Sequence, residues 1–248
     1  MSDAPADKIA ADAAKDDRPR DASTLIIVDR SSGAPRVLMG KRRMEQVFMP
    51  GKYVFPGGRA DKDDKIVQSA DELPPIETAK LLLDMKGSPS ATRARGLALA
   101  AIRETFEEAG LLVGHRVSLP LATTAAGWGE FLAHGYLPKI SDLTFFARAI
   151  TPPGRPRRYD TRFFCCDVAA ITHRIDANDG ELSGLHWLTI EDTRGIDLAP
   201  ITRVVLEDLT DRLNASSPTA ADAAVPYYHF KNGSFRRELL TIGQPVAS

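Results

Sequence analysis

Arg103-Glu104-Thr105-Phe106-Glu107-Glu108-Ala109-Gly110-Leu111 is the stretch on which the reading of this chain turns. Helical spacing runs from about Thr92 to Ala109, and Gly110 is a natural stop. A helix advances about 100° per residue, so with Glu104 at 0° Glu107 falls near about −60° and Glu108 near about +40°. The three carboxylates therefore share an arc of about 100°, spaced roughly 4.5–6 Å along the axis. Ala98, Leu99, Ile102, Phe106 and Ala109 gather on the opposite side, as a core-facing stripe does. Ala100 and Ala101 flank the acidic stripe with little bulk, which would let a ligand come close.

Three carboxylates at this spacing repel one another, and without compensation at least one pKa rises. A hard divalent cation removes the conflict. Mg²⁺ takes oxygen ligands, usually one or two carboxylates with waters and substrate phosphates, and can polarise a phosphoryl oxygen. The bland alternative is a solvated acidic face supported by the i, i+4 pair Arg103–Glu107. What sets this helix apart is the strand and double-glycine break upstream, Tyr53-Val54-Phe55-Pro56-Gly57-Gly58.

With both pieces quoted, the sequence resembles the Nudix hydrolase superfamily, whose signature is G-x5-E-x7-R-E-U-x-E-E-x-G-U, with U a bulky apolar residue. Arg103, Glu104, Glu107, Glu108, Gly110 and Leu111 match its second half, and Gly57-Gly58 its start. The resemblance covers most of residues 22–213. It implies a Nudix-type α/β (α+β) fold, an α/β/α sandwich with a mixed sheet. It also implies hydrolysis of a phosphoanhydride bond with Mg²⁺ or Mn²⁺. Glu104 and Glu108 would ligate the metal, with Glu107 a ligand or the group orienting water, and the Gly57 carbonyl a further ligand. Arg103 would buttress the glutamates.

The box is split. The signature places 13 residues between its first Gly and its Arg, but 44 separate Gly58 from Arg103, leaving 44 − 13 = 31 extra. Counting back from Arg103 puts the first box glutamate at Arg95, which is no ligand, so the number of metals stays open. Thr105 also stands where an apolar residue is usual. A long insertion inside the box resembles the branch that includes animal coenzyme A diphosphatases, as does Phe48-Met49-Pro50-Gly51 followed by Val54-Phe55-Pro56-Gly57-Gly58. CoA-cleaving relatives carry a pattern ending G-x3-F-P-G-G, fitted by Gly51 and Phe55 to Gly58. Arg42 matches one upstream arginine of that pattern, while Val47 stands at the other.

The resemblance implies CoA or acyl-CoA as favoured substrate, giving 3′,5′-ADP and a phosphopantetheine. ADP-ribose, NADH or another dinucleotide is the alternative within the enzyme class, and a non-catalytic ligand-sensing module the alternative outside it. The catalytic base in this superfamily often lies outside the box, and Glu181 in Asp179-Gly180-Glu181 is the candidate. Arg155, Arg157, Arg158 and Arg162 form a basic cluster in or beside a Pro-rich loop. Arg158 and Arg162 are the candidate substrate contacts, with Arg42 a second phosphate contact.

The rest of the chain bounds this reading. Of 248 residues, 43% are hydrophobic and 26% charged, which suits a globular domain with a sizeable core. A net charge of −1 gives no general grip on nucleic acid, so an anionic ligand needs local charge or a metal. No apolar run is long enough for a signal peptide or membrane span, and the adjacent Cys165 and Cys166 read as buried thiols, so a cytoplasmic protein is expected. Residues 1–22 read as a disordered tail, 23–213 as the domain with its insertion at about 59–90, and 214–248 as a C-terminal tail. Asn232-Gly233-Ser234 reads as a turn. Small-molecule nucleotides are the expected partners; a homodimer stays open, since many relatives pair.

Overall fold

The computed structural model describes residues 18–45, 49–118, 121, 123–175, 182–215 and 223–243. Its strands are β1 (Arg20–Asp29), β2 (Arg36–Arg42), β3 (Tyr53–Val54), β4 (Gly57–Arg59), β5 (Leu111–Arg116) and β6 (Tyr136–Pro138). They continue with β7 (Thr144–Ile150), β8 (Tyr159–Asp167), β9 (Ile171–Arg174), β10 (Leu182–Thr189), β11 (Val225–Lys231) and β12 (Ser234–Leu240). The helices are α1 (Pro75–Leu82), α2 (Ala91–Ala109), α3 (Gly129–Ala133) and α4 (Pro200–Asn214).

The main sheet runs β10-β2-β1-β8-β7-β11-β12, with β3 on β2 and β4 on β1; β6-β5-β9 form a smaller sheet. The run Leu25-Ile26-Ile27-Val28 is unbroken because both faces of β1 are covered. Successive side chains alternate: Leu25 and Ile27 join Leu97, Leu99 and Ile102 of α2 in one core, while Ile26 and Val28 join Val205, Leu206 and Leu209 of α4 in the other. The result is the expected α/β/α sandwich with a mixed sheet. β1 is parallel to β8 and antiparallel to β2 and β4.

Two boundaries differ from the sequence reading. The sequence reads as a tail to residue 22, yet β1 starts at Arg20, in register with Tyr159. Asp21 looks like part of an acidic tail, but it takes ion pairs from Arg93 at 2.6 Å and from Arg162 at 3.1 Å. The C-terminal region that reads as a tail contains a hairpin. Asn232 and Gly233 have φ of 51° and 75°, the left-handed pair that a tight two-residue hairpin turn requires. Tyr227 and Tyr228 of β11 pair with Arg148 and Ala149 of β7 and extend the main sheet. Asp208 of α4 pins the hairpin, accepting from Arg237 at 2.7 Å and from the Tyr228 hydroxyl.

The extra residues inside the box are docked on the core. Pro75 opens α1, whose Glu77–Lys80 pair is buried at 2.8 Å, and Glu77 also accepts from the Phe145 backbone N–H at 2.7 Å. Asp71 accepts from the backbone N–H groups of Ile140 and Ser141 at 2.8 and 3.1 Å. Arg95, where back-counting puts a box glutamate, is the clamp: it donates to both Glu72 oxygens at 3.1 Å and to the Val67 carbonyl at 2.9 Å.

Candidate active site

Helix α2 is capped at both ends. Ser90 accepts from the Arg93 N–H at 3.1 Å. Gly110, at φ 65°, ends the helix with its N–H on the Phe106 carbonyl at 2.8 Å. Between these fixed ends the helix packs along β1 and β4 and turns its glutamates toward the glycine bend.

Gly58 is what lets the helix come close, and Gly57 what lets the bend lie against β1. The Gly57 N–H donates to Glu108 Oε2 at 2.8 Å. A Cβ on Gly57 would sit 2.5 Å from the Ser23 carbonyl oxygen, and one on Gly58 would sit 2.3 Å from Glu104 Oε2. Glu104 and Glu108 thus converge on the same bend, as the helical wheel requires. Glu108 is buried, whereas the Glu107 side chain is 43% exposed. Gly58→Ala is expected to keep the fold but displace Glu104. Metal affinity, read by Mn²⁺ titration, should fall about 10-fold or more, since small misplacements at a reacting centre are costly.

Arg103 holds this arrangement. Its Nε and Nη2 donate to Asp64 at 2.8 and 3.1 Å, and Nη2 also to the Arg59 carbonyl at 2.9 Å. Its Nη1 reaches Glu104 at 2.9 Å and Glu107 at 3.0 Å. All of the guanidinium's N–H donors are engaged by protein, so Arg103 buttresses the carboxylates and has none left for substrate. Burial disfavours its cation, but the bonds to Asp64 and the charges of Glu104 and Glu107 more than offset this and raise its pKa.

Asp64 is the residue that sequence reasoning missed. It looks like part of an acidic loop, yet it is fully buried and also accepts from Trp128 Nε1 at 2.9 Å. Counting forward, Gly58 and Asp64 are separated by five residues, the G-x5-E spacing with Asp for Glu. Back-counting from Arg103 points to Arg95 because it runs across the insertion. The extra residues therefore fall after Asp64 and not from residue 59. Thr105 fits the core because its hydroxyl donates to the Ala101 carbonyl at 2.7 Å within the helix.

Other expectations need correction. Ala100 and Ala101 are fully buried and offer no approach to a ligand; the docked insertion gives α2 a second covered flank. Arg162 is not on an exposed loop. It lies in β8, 1% exposed, with Nη1 on Asp160 at 2.9 Å and Asp21 at 3.1 Å. There it belongs to a buried ion-pair ladder that also takes in Arg93, Arg148 and Asp84. Arg158 donates to the Thr151 carbonyl at 3.1 Å and lines a cavity of about 470 Å³ with Lys86, Tyr227 and Lys231, away from the box glutamates. Arg42 ends β2, its backbone paired with Lys52 and Gly51. Glu181, Val47 and Phe48 lie outside the described residues. Cys166 is a buried free thiol and Cys165 a partly buried one.

The electrostatics suit a cation. Burial, and then the nearby Glu107 charge, push Glu104 up to about 7 despite Arg103, and burial also raises Glu107. Among the described residues no three His, Cys, Asp or Glu side chains form a ready-made metal cage. Glu104 and Glu108 beside the Gly57-Gly58 bend suit an ion that takes one or two carboxylates and completes its shell with water and phosphate, as Mg²⁺ does. A carboxyl whose folded pKa lies above its unfolded value of 4.5 lowers stability progressively as pH rises from 4.5 toward 7. The shift to about 7 corresponds to roughly 3 kcal/mol at most. Metal-free Glu104→Gln is thus expected to melt several degrees above the metal-free wild type at pH 8. The gain should vanish near pH 4.5, as differential scanning fluorimetry in chelator would show.

Fold and site together define a Nudix-type α/β/α protein with a split box. No family profile matches the chain. It is 27% identical over 200 residues to acyl-coenzyme A diphosphatase NUDT19 of Gallus gallus, spanning 61% of this chain and 53% of that protein. It is 26% identical over 189 residues to putative nudix hydrolase 7 of Caenorhabditis elegans, spanning 68% and 51%. A solved NUDIX hydrolase from Alicyclobacillus acidocaldarius is similar at 26% identity with a TM-score of 0.55, over 77% of this chain and 90% of that one. The chain spans about half the length of the curated relatives it matches. The chain resembles Nudix hydrolases, an acyl-coenzyme A diphosphatase among them. Among the described residues no helix is long and apolar enough to cross a membrane.

Proposed function

We propose that the protein hydrolyses a phosphoanhydride bond in a nucleoside diphosphate linked to another moiety, with CoA or acyl-CoA as substrate and Mg²⁺ or Mn²⁺ as cofactor. The observation that carries this is the convergence of Glu104 and Glu108 on Gly57-Gly58, held by Arg103. Glu104 and Glu108 would hold the cation, with the Gly57 carbonyl as a further candidate. When bound, the ion neutralises the diphosphate and polarises the phosphoryl group under attack. Glu107, the exposed member, would orient the attacking water, with its carboxylate paired to Arg103. Glu181 is the candidate base and Arg42 the candidate phosphate contact on sequence alone; Arg158 is retained only for a substrate long enough to reach its cavity.

The CoA reading draws support from Gly51 and Phe55 to Gly58, and from the likeness to an acyl-coenzyme A diphosphatase. Incubation with CoA, acyl-CoA, ADP-ribose, NADH and a dinucleoside polyphosphate, with Mg²⁺ or Mn²⁺, tests it. The expected result is 3′,5′-ADP from CoA, and no product once chelator is added. Turnover of ADP-ribose with CoA untouched would overturn the substrate, and no turnover of any of them would favour a ligand-sensing module.

A further inference from the structure

β12 is the outer strand of the main sheet, and among the described residues nothing pairs with its free edge. Lys231 and Ser234 flank the two-residue turn as a hydrogen-bonded pair, so the N–H and C=O groups of Phe235, Arg237 and Leu239 point away from β11. Proteins usually shield such an edge with a bulge, a proline, a very short strand or charged side chains, and of these β12 carries only the charges of Arg236, Arg237 and Glu238. This one has seven residues, an unshifted register and no proline, with Phe235 53% and Leu239 54% exposed.

The strand is complementary to itself. Laid antiparallel on a copy and centred on Arg237, it sets Phe235 opposite Leu239 and Arg236 opposite Glu238, twice over by symmetry. Phe235, Arg237 and Leu239, whose backbone groups point outward, then meet one another, so the ladder closes. Shifting the axis by half a residue pairs outward with inward groups, and shifting it by a whole residue brings Arg236 onto Arg236 or Glu238 onto Glu238. At the centre Arg237 faces its own copy, but each guanidinium is already held by Asp208 of its own chain at 2.7 Å.

We propose that β12 is a homodimer interface, through which two copies join their main sheets by antiparallel pairing of residues 234–240. Apolar Phe235–Leu239 contacts line one face of the seam, and Arg236–Glu238 pairs line the other.

Analytical ultracentrifugation of the full chain at tens of micromolar tests this. The wild type is expected at twice the 27.0 kDa of one chain. Arg236→Glu sets carboxylates against each other at both ends of the seam and should raise the dimer dissociation constant about 10-fold or more. Arg236→Glu combined with Glu238→Arg swaps both signs and should restore dimerisation, which a merely misfolded variant could not do. A monomeric wild type overturns the proposal, as does a dimer indifferent to Arg236→Glu or a double variant that stays monomeric.

Discussion

Glu108→Gln is expected to cut hydrolysis by about 10³-fold at saturating Mg²⁺ while leaving the fold intact. The substitution conserves shape, and the side-chain carbonyl of glutamine can still accept the Gly57 N–H that now bonds Glu108 Oε2 at 2.8 Å. What disappears is a negative charge in a buried position, where the loss is not screened as it would be in water. A loss of roughly 4 kcal/mol in transition-state stabilisation corresponds to about three orders of magnitude in rate. Glu107→Gln, on the exposed side of the same turn, should cost less, about 10-fold, because its charge is better solvated and Arg103 retains Glu104 as partner. Steady-state kinetics with the favoured diphosphate, alongside melting curves, would check both. A Glu108→Gln enzyme within about 10-fold of wild type would remove Glu108 from the metal site.

Where sequence legibility ends has a physical reason in each case. The glutamate stripe is readable because helical periodicity fixes side-chain directions once the Gly110 stop is located. The approach of that stripe to Gly57-Gly58 depends on a tertiary contact, and only the family signature indicates it. Asp64 is hidden because its partner lies 39 residues away across the inserted segment. The forward spacing from Gly58 is nevertheless an available signal. Arg162 misleads because Pro152, Pro153 and Pro156 suggest an exposed loop. Instead, β8 extends from Tyr159, and pairing with β1 turns Arg162 inward beside Asp21. Ala100 and Ala101 look accessible on an isolated wheel, which cannot show the insertion packing on that flank. The turn at Asn232-Gly233-Ser234 is readable, but the hairpin around it reads as a tail because Val225 to Lys231 and Ser234 to Leu240 lack the apolar–polar alternation that marks strands.

The largest stability effect is expected from Asp64→Ala, in a segment that looks like a dispensable loop. Asp64 is fully buried and accepts two bonds from Arg103, one from the Trp128 indole and one from the Asp61 N–H. Its removal leaves a buried guanidinium and an indole N–H without their acceptor. Breaking a buried ion pair from one side costs about 3–5 kcal/mol. For a chain of this size that is a fall in Tm of about 10 °C. Activity should fall as well, because Arg103 is the arm that holds Glu104 and Glu107. Removing Arg103 together with Asp64 separates the two effects. In Asp64→Ala/Arg103→Met the stranded charge is gone, and an apolar side chain of similar length occupies its place, so stability should largely return. Hydrolysis should not return, since nothing then fixes the two glutamates against the glycine bend. If the double variant regained both stability and full activity, the Asp64–Arg103 pair would be a packing feature and not the support of the metal site. If it regained neither, the lost stability of the single variant would come from the Trp128 contact instead.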